Sequence, residues 1–444
     1  MRHIRNLLFG LCALPLFLSL SAAEEELPPD PLRDRARTGE TAAEEELPPD
    51  PLRDRARTGE TAAQLQLANE FFFGRNRPRN PTLAAYWFRQ AAEQGSPEGA
   101  YNFAVCLERG WGAVQSANQA FSFYTRAAEA GRPEARLARA RLLYTGVKEE
   151  KGDAGTRPAI PAEPEKALNE LRRLSAENFV PAKFELARLL ASDRERRKSC
   201  AAELRARLEE YAAQPNPEPK ALLLLAECRR DGVGGSPSME HAADAVERAM
   251  MLGDADAKAL YARILEYGHG RRPDPEQAFR LTKEAAEAGS RPALLRLGDY
   301  KLTGDHLPHD PGGAVECFRR AADAGYPPAF FKLGNAYAEG IGVEKNPVRA
   351  FEEFSKGARA GEPRCQYRVG RCYLDGTGIA ADPAGAVYWF RSAIGRGNVE
   401  AMRDLGRCLL EGRGVEKNEE EGAKLLSAAA AAGDRAAILM LNRN

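Results

Sequence analysis

Cysteine and histidine are the residue types in this chain whose spacing could support chemistry. The 444 residues include eight cysteines, seven of which follow an N-terminal apolar run. In an oxidising compartment, seven cysteines suggest disulfides with one thiol left over. His306 and His309 lie with Asp305 and Asp310 in the stretch D-H-L-P-H-D, which has the spacing of a weak metal site. No third firm ligand is visible, so we interpret them as solvated loop residues and predict no metal or cofactor.

Motifs of known catalytic classes are missing from the sequence. It contains no S-x-x-K, G-x-S-x-G, H-E-x-x-H or P-loop pattern. Pairs such as Gly340 and Gly342 connect two predicted helices, which is typical of turn glycines and not of a phosphate cradle. Asp and Glu total 64, but the sequence cannot distinguish a converging pair of carboxylates from a solvated surface. We predict that the chain is not an enzyme, and keep a hydrolase acting on cell-wall, glycan or β-lactam substrates through groove carboxylates as the alternative.

A cluster of cations lies in the stretch A-S-D-R-E-R-R-K-S-C. Its members, Arg194, Arg196, Arg197 and Lys198, could contact an acidic surface of a partner. Tolerated surface variation is the simpler interpretation. The formal net charge of the chain is +0, so charge gives no reason to predict binding to nucleic acid. The cluster is kept as the candidate partner-binding site.

The N-terminus has the features of a secretory signal peptide. A basic head precedes the apolar run at residues 7–20, which is too short to span a bilayer comfortably. Small residues at positions 21–23 provide a cleavage point, and a membrane anchor is the alternative interpretation. We therefore predict that residues 1–23 are removed near Ala23. The mature chain is then periplasmic or secreted and has no transmembrane segment.

A period of 36 residues organises most of the remaining chain. Counting from a recurrent glycine, helix A is predicted at +4 to about +14, with Ala or Gly at +9 and a glycine cap at +15. An N-cap residue follows at +21, often with proline at +22, and helix B carries large apolar residues near +28 and +29. The recurrent glycines are Gly59, Gly95, Gly131, Gly253, Gly289, Gly325, Gly361, Gly397 and Gly433, and Asn178 and Pro217 take this place in the irregular middle.

The period also decides how the cysteines are interpreted. Cys106, Cys228, Cys372 and Cys408 all stand at +11, where other units have Leu, Ile, Tyr or Ala. These positions favour small apolar core residues over disulfide partners. The period gives no sign of a strand, so the predicted class is all-α. The third unit departs from the pattern, because K-E-E-K-G-D-A-G-T-R-P-A-I-P-A-E-P adds about eleven residues between its helices. We interpret this insertion as tolerated surface variation, with a partner-binding edge as the alternative.

The unit Ala329 to Gly361, A-F-F-K-L-G-N-A-Y-A-E-G-I-G-V-E-K-N-P-V-R-A-F-E-E-F-S-K-G-A-R-A-G, resembles the Sel1-like repeat, a relative of the tetratricopeptide repeat. The resemblance covers about 385 of the 444 residues. It implies a right-handed superhelical solenoid of αα-hairpins at residues 59–444, with ten repeats and a C-terminal half-repeat. It further implies a non-enzymatic scaffold that holds a protein or peptide in its concave groove. Cysteine-rich relatives join helix B to the next helix A by a disulfide, but here Ala358 lies opposite Cys365, so that bridge is missing.

Residues 22–61 contain the same twenty residues twice, A-A-E-E-E-L-P-P-D-P-L-R-D-R-A-R-T-G-E-T. Gly59, in the second copy, is in phase with the 36-residue period. The second copy is therefore predicted to end in the lead-in turn of the first helix A. In the first copy the same tail would place Pro51 inside that helix, which proline disfavours. We predict a disordered arm at residues 24–58 and interpret the first copy as surplus.

Overall fold

The structure is a computed structural model that describes residues 50–148, 150–152, 155–157 and 159–441. The predicted signal peptide and the first copy of the duplicated segment lie outside these residues. In chain order the helices are Pro51–Arg57 (α1), Thr61–Phe73 (α2), Pro81–Glu93 (α3), Pro97–Arg109 (α4), Ala117–Glu129 (α5), Pro133–Thr145 (α6), Pro164–Ala176 (α7), Val180–Ser192 (α8), Arg194–Ser199 (α9), Ala201–Ala212 (α10), Pro219–Asp231 (α11), Met239–Met251 (α12), Ala255–Tyr267 (α13), Pro275–Glu287 (α14), Arg291–Thr303 (α15), Pro311–Asp323 (α16), Pro327–Glu339 (α17), Pro347–Arg359 (α18), Pro363–Asp375 (α19), Pro383–Ile394 (α20), Val399–Glu411 (α21), Glu419–Ala431 (α22) and Arg435–Leu441 (α23).

The chain divides into two compact units between Leu186 and Ala187. In the first unit α2 packs on α3, α4 on α5 and α6 on α7, and each pair contacts its neighbour along the chain. In the second unit the same hairpin arrangement runs from α11 with α12 to α21 with α22. The prediction of an all-α array of helical hairpins is confirmed. None of the helices in the described ranges combines the length and hydropathy needed to cross a membrane.

The N-caps of helix B form at the predicted positions. In each case the side-chain oxygen accepts a hydrogen bond from the backbone N–H three residues later, which satisfies one of the free donors at the start of a helix. The capping residues are Asn80, Ser116, Ser238, Asp274, Asp310, Asn346, Asp382 and Asn418. Helix A starts at +2 and not at the predicted +4. Its first residue is proline in several units, as at Pro327, because proline loses no hydrogen bond there.

Small residues let the helices of one unit and the loops of the next approach closely. Gly340 ends α17 in the left-handed conformation, as predicted for +15. A Cβ on Gly334, at +9 of the same helix, would overlap the ring of Phe354 in α18. A Cβ on Gly342 would overlap the carbonyl oxygen of Pro311, at the start of the preceding helix B. These glycines therefore fix both the hairpin and the contact between consecutive repeats.

Helix α1 corrects the prediction that residues 24–58 form a disordered arm, because Pro51–Arg57 is helical. The Asp50 side chain accepts a hydrogen bond from the backbone N–H of Leu52, which caps the helix. Asp50 also pairs at 2.7 Å with Arg77, and Ala56 is fully buried. The helix ends two residues before Gly59, as α18 ends two residues before Gly361. Helix α1 is thus a shortened helix B that covers the first hairpin, and residues 24–49 lie outside the description.

The insertion between α6 and α7 contains one short strand pair, for which the 36-residue period gave no signal. Glu150–Gly152 (β1) pairs antiparallel with Gly155–Arg157 (β2). Next to this β-hairpin, Val147 and Ile160 exchange two backbone hydrogen bonds, of 2.9 and 2.8 Å. The inserted segment is too short to form another helix pair. A two-stranded ladder provides hydrogen-bond partners for its backbone N–H and C=O groups instead.

Candidate functional site

A cleft of about 710 Å³ opens in the first unit, where α5, α6 and α7 meet the end of the inserted hairpin. Its size lies in the range of pockets that hold small ligands or a few peptide side chains. The lining contains both apolar and polar side chains. We call the apolar lining residues the floor, namely Phe121, Ala140, Leu143 and Ile160, and the polar lining residues the rim, namely Thr125, Arg139, Glu163, Lys166, Asn169, Glu170 and Arg173.

The third hairpin differs from the two before it in residues that line the cleft. The insertion shifts α7 by eleven residues, so Glu170 takes the +28 position that Trp87 and Phe123 occupy in the preceding units. A carboxylate held at the rim does not fill the volume of a buried aromatic ring. The backbone pairing of Val147 with Ile160 then places the Ile160 side chain at the other edge of the cleft. The insertion was the signal visible in the sequence, and its spacing alone indicated neither a cleft nor the residues that line it.

The rim of the cleft carries cations that are only loosely paired. Arg139 lies 3.8 Å from Glu170, and Lys166 lies 3.3 Å from Glu163. Arg173 is exposed, and among the described residues no carboxylate forms an ion pair with it. These three side chains can therefore still bind an anionic group from a ligand.

A tighter ion pair fixes the position of Glu170. Arg136 donates hydrogen bonds of 2.6 Å to Glu170 and to Glu177. The hydrogen bond with Glu177 raises the pKa of the Arg136 guanidinium and lowers the pKa of the Glu177 carboxyl. Because both partners stay charged near neutral pH, this bridge holds α6 against α7 and keeps the rim in place.

The cationic cluster predicted from the sequence lies on the short helix α9, in the second unit. Arg194 and Lys198 are exposed, whereas Arg196 and Arg197 are partly buried. Arg197 lies 3.9 Å from Glu227 and 3.5 Å from Asp231, both on α11. Part of the predicted positive charge is therefore balanced within the chain itself. The role of the cluster in partner binding stays a prediction.

The two histidines of the D-H-L-P-H-D stretch point to different partners. His306 stacks on Phe279, with 5.0 Å between the ring centroids, and its Nδ1 lies 3.6 Å from Glu276. Nδ1 of His309 lies 2.7 Å from the carbonyl oxygen of Leu302. Asp310 caps α16, as described above. Among the described residues no three His, Cys, Asp or Glu side chains are grouped in a way that could hold a metal ion.

The buried carboxylates bear on the alternative that the chain is a hydrolase. Asp404, which is 1% exposed, accepts hydrogen bonds from Tyr367 at 3.1 Å, Arg371 at 3.3 Å and Arg403 at 2.9 Å. Burial, together with this carboxylate, raises the pKa of Tyr367. Glu70 is buried in the other compact unit, where it accepts a 2.8 Å hydrogen bond from Arg77. Asp404 on α21 is thus tied to α19, and Glu70 on α2 is tied to the loop that follows its own helix.

The cysteines after the apolar run are free thiols. Cys200 is partly exposed, and the other six are buried, which confirms the prediction that the +11 cysteines are core residues. Burial raises the pKa of Cys106 to about 12 and raises the pKa of Cys365 as well. Thiols with raised pKa values are poor nucleophiles near neutral pH, so their contribution is packing.

Comparison with known proteins gives the same repeat unit. A family model described as "Sel1 repeat" matches residues 61–96, 97–131, 255–290, 291–326, 327–362, 363–398 and 399–434, more than half of the chain. The matches omit residues 132–254, which contain the insertion and α9, so the ten repeats counted from the sequence stay a prediction.

Two solved structures illustrate the likeness. One is a protective antigen of uropathogenic Escherichia coli strains that displays an SLR fold. It is 25% identical over 88% of this chain and 81% of that chain, with a TM-score of 0.51. The other is a Sel1 repeat protein from Oxalobacter formigenes, 24% identical over 60% of this chain and 99% of that chain, with a TM-score of 0.49.

Proposed function

The chain belongs to the Sel1 repeat family, and on this premise we propose that it is an exported, non-enzymatic scaffold that binds a protein or peptide partner. Stacked helix pairs present an extended surface, and such surfaces suit extended partners. The predicted signal peptide at residues 1–23 supports export. The description of the Escherichia coli relative as a protective antigen is consistent with export.

The observation that carries the proposal is the cleft between α5, α6 and α7. An apolar floor beside loosely paired cations fits a peptide that has one apolar anchor and an acidic neighbour. We place recognition in this cleft and not along a whole groove, because the insertion distinguishes this hairpin from the regular ones. The exposed cations of α9 are kept as a second contact surface for an acidic partner.

The hydrolase alternative has less support. Glycosidase chemistry needs two carboxyl groups close together, one of them kept protonated by a raised pKa. Asp404 and Glu70 lie in different compact units, and each is paired with arginine.

A pull-down with a matched pair of variants tests the scaffold. The wild-type chain, the cleft variant Ile160→Asp with Arg173→Glu, and the control Arg89→Glu are used as bait on extracts of the source cells. Arg89 is exposed on α3, outside the cleft lining, and pairs with Glu93. We expect mass spectrometry to find a protein retained by wild type and control and lost from the cleft variant.

Two results would overturn parts of the proposal. Equal retention by all three baits would remove the cleft as the recognition site. Failure to retain any protein, together with turnover of a glycan or β-lactam substrate by the purified chain, would replace the scaffold with the hydrolase. Export is tested separately, because the exported chain should begin at or near Glu24 in N-terminal sequencing.

A further inference from the structure

We propose that the cleft binds a segment of this same chain, the acidic stretch E-E-E-L-P-P at residues 24–29. This stretch belongs to the first copy of the duplicated twenty residues, which lies outside the described part of the chain. The sequence alone favours the interpretation that the first copy is surplus. The cleft supplies a docking site for it, and a partner peptide of the kind proposed above would have to displace this segment in order to bind.

Charge complementarity is the first argument. Three consecutive glutamates, Glu24 to Glu26, would meet the rim cations Arg139, Lys166 and Arg173. None of these cations has a carboxylate closer than 3.3 Å, as described above. Of the two rim acids, Glu170 is already held by Arg136 at 2.6 Å. An acidic segment therefore gains attraction at this rim, and salt should weaken it.

The apolar residues of the segment match the floor of the cleft. Leu27 would lie against Phe121, Leu143 and Ile160, which form the floor. The two prolines that follow restrict the free backbone, so less conformational entropy is lost when the segment binds. Proline-rich peptides with an apolar anchor commonly bind on aromatic and aliphatic grooves of this kind.

The reach of the chain selects the first copy over the second. Leu27 lies 23 residues before Asp50, where the described chain begins, and 23 residues can span at most about 80 Å. Leu47, its equivalent in the second copy, lies three residues before Asp50 and can reach at most about 10 Å. Helices α2, α3 and α4 lie between α1 and α5 along the chain, and packed helices are already about 8–10 Å apart, so the cleft lies beyond the reach of Leu47. The duplication thus lengthens the arm enough for its acidic segment to reach the cleft.

Photo-crosslinking in the full chain tests this docking. A benzophenone amino acid replaces Leu27 in one chain and Leu47 in a second, where the local sequence is the same, E-E-E-L-P-P. After illumination and digestion, we expect position 27 to crosslink to peptides that contain Phe121, Leu143 or Ile160. The yield from position 27 should exceed that from position 47 at least about fivefold, because of the reach.

Charge reversal tests the electrostatic part of the proposal. Lys166→Glu with Arg173→Glu should lower the yield from position 27 at least about fivefold, and about 0.5 M salt should also lower it. Both side chains are exposed, and circular dichroism checks that the variant stays folded. Arg89→Glu should leave the yield unchanged.

Equal yields from positions 27 and 47, or a yield insensitive to charge reversal, would overturn the proposal. Crosslinks that join two chains would overturn the assignment to the same chain. None of these outcomes changes the pull-down test of the scaffold, so the two proposals can fail separately.

Discussion

At the scale of single residues, the second glycine of each G-x-G loop joins one repeat to the one before it. Gly342 has a φ of +69°, and a Cβ there would overlap the carbonyl oxygen of Pro311. Gly325 has a similar φ of +75°, but a Cβ there would have no heavy atom within 4 Å. The two glycines share a conformational requirement and differ in the space around them.

We predict that Gly342→Ala destabilises the chain more than Gly325→Ala does. The change at Gly325 should cost about 1 kcal/mol, which is the strain of the left-handed conformation. The change at Gly342 adds a steric conflict with backbone and should cost about 2–4 kcal/mol. Urea denaturation followed by circular dichroism measures both. Equal midpoints would show that the loop of one repeat does not pack tightly on the preceding helix B.

The buried carboxylate of Asp404 gives a second prediction at this scale. Asp404→Asn keeps the shape but removes the negative charge between Arg371 and Arg403, and should cost about 2–4 kcal/mol of unfolding free energy. Asp375→Asn is the matched control, because Asp375 also pairs with Arg371 but its side chain is 39% exposed. The control should cost less than about 1 kcal/mol. A loss of similar size in both variants would contradict the structural role of the buried cluster.

At the scale of elements, α1 explains how the array begins. The first helix A of a solenoid needs another helix packed on its outer side. That helix can be shorter than a full helix B. Seven residues suffice here, because Asp50 caps the helix and also pairs with Arg77. The solvent side of α1 carries Asp54, Arg55 and Arg57, which suits a terminal cap.

Identical sequences in the two copies make a matched test of α1 possible. We predict that Asp50→Ala raises amide hydrogen exchange in α1 and in the first turn of α2, with a loss of about 1 kcal/mol in local stability. Asp30→Ala changes the equivalent residue of the first copy and should leave exchange in α1 and α2 unchanged. If both substitutions raised that exchange, or neither did, Asp50 would not be the specific cap of α1.

At the scale of the whole molecule, helices pack on their neighbours along the chain. Within the second unit, contacts beyond the adjacent helix are few and join alternate helices, such as α17 with α19. In such an array, stability is a sum over repeats and the interfaces between consecutive repeats. Damage to one hairpin should therefore remain local.

Reciprocal core substitutions test this locality. Phe354 is 1% exposed in α18, and Phe88 is 3% exposed in α3. Truncation of a buried phenylalanine to alanine costs about 3–5 kcal/mol. We predict that Phe354→Ala raises hydrogen exchange in α17 to α19 and leaves α2 to α4 unchanged, and that Phe88→Ala does the reverse. A uniform increase along the chain in either variant would contradict nearest-neighbour stability.

The sequence by itself determined the repeat unit. The N-caps, the glycine caps and the small residues at +9 all act over a few residues or between helices joined by one loop, so their spacing is visible in one dimension. Asn178 illustrates this, because it replaces the recurrent glycine and adopts a positive φ of 62°. Asparagine tolerates this conformation better than most residues do.

The tertiary structure decided the features that depend on which distant residues become neighbours. The partners of Arg197 on α11, the pairing of Asp50 with Arg77, and the cleft beside Glu170 each involve contacts that no local spacing specifies. The strand pairing in the insertion has the same origin, since a short segment gains regular structure only when its backbone finds a partner. A local pattern determines where a helix starts and ends. Packing in three dimensions determines which charged side chains can still bind a ligand and where a cleft remains open.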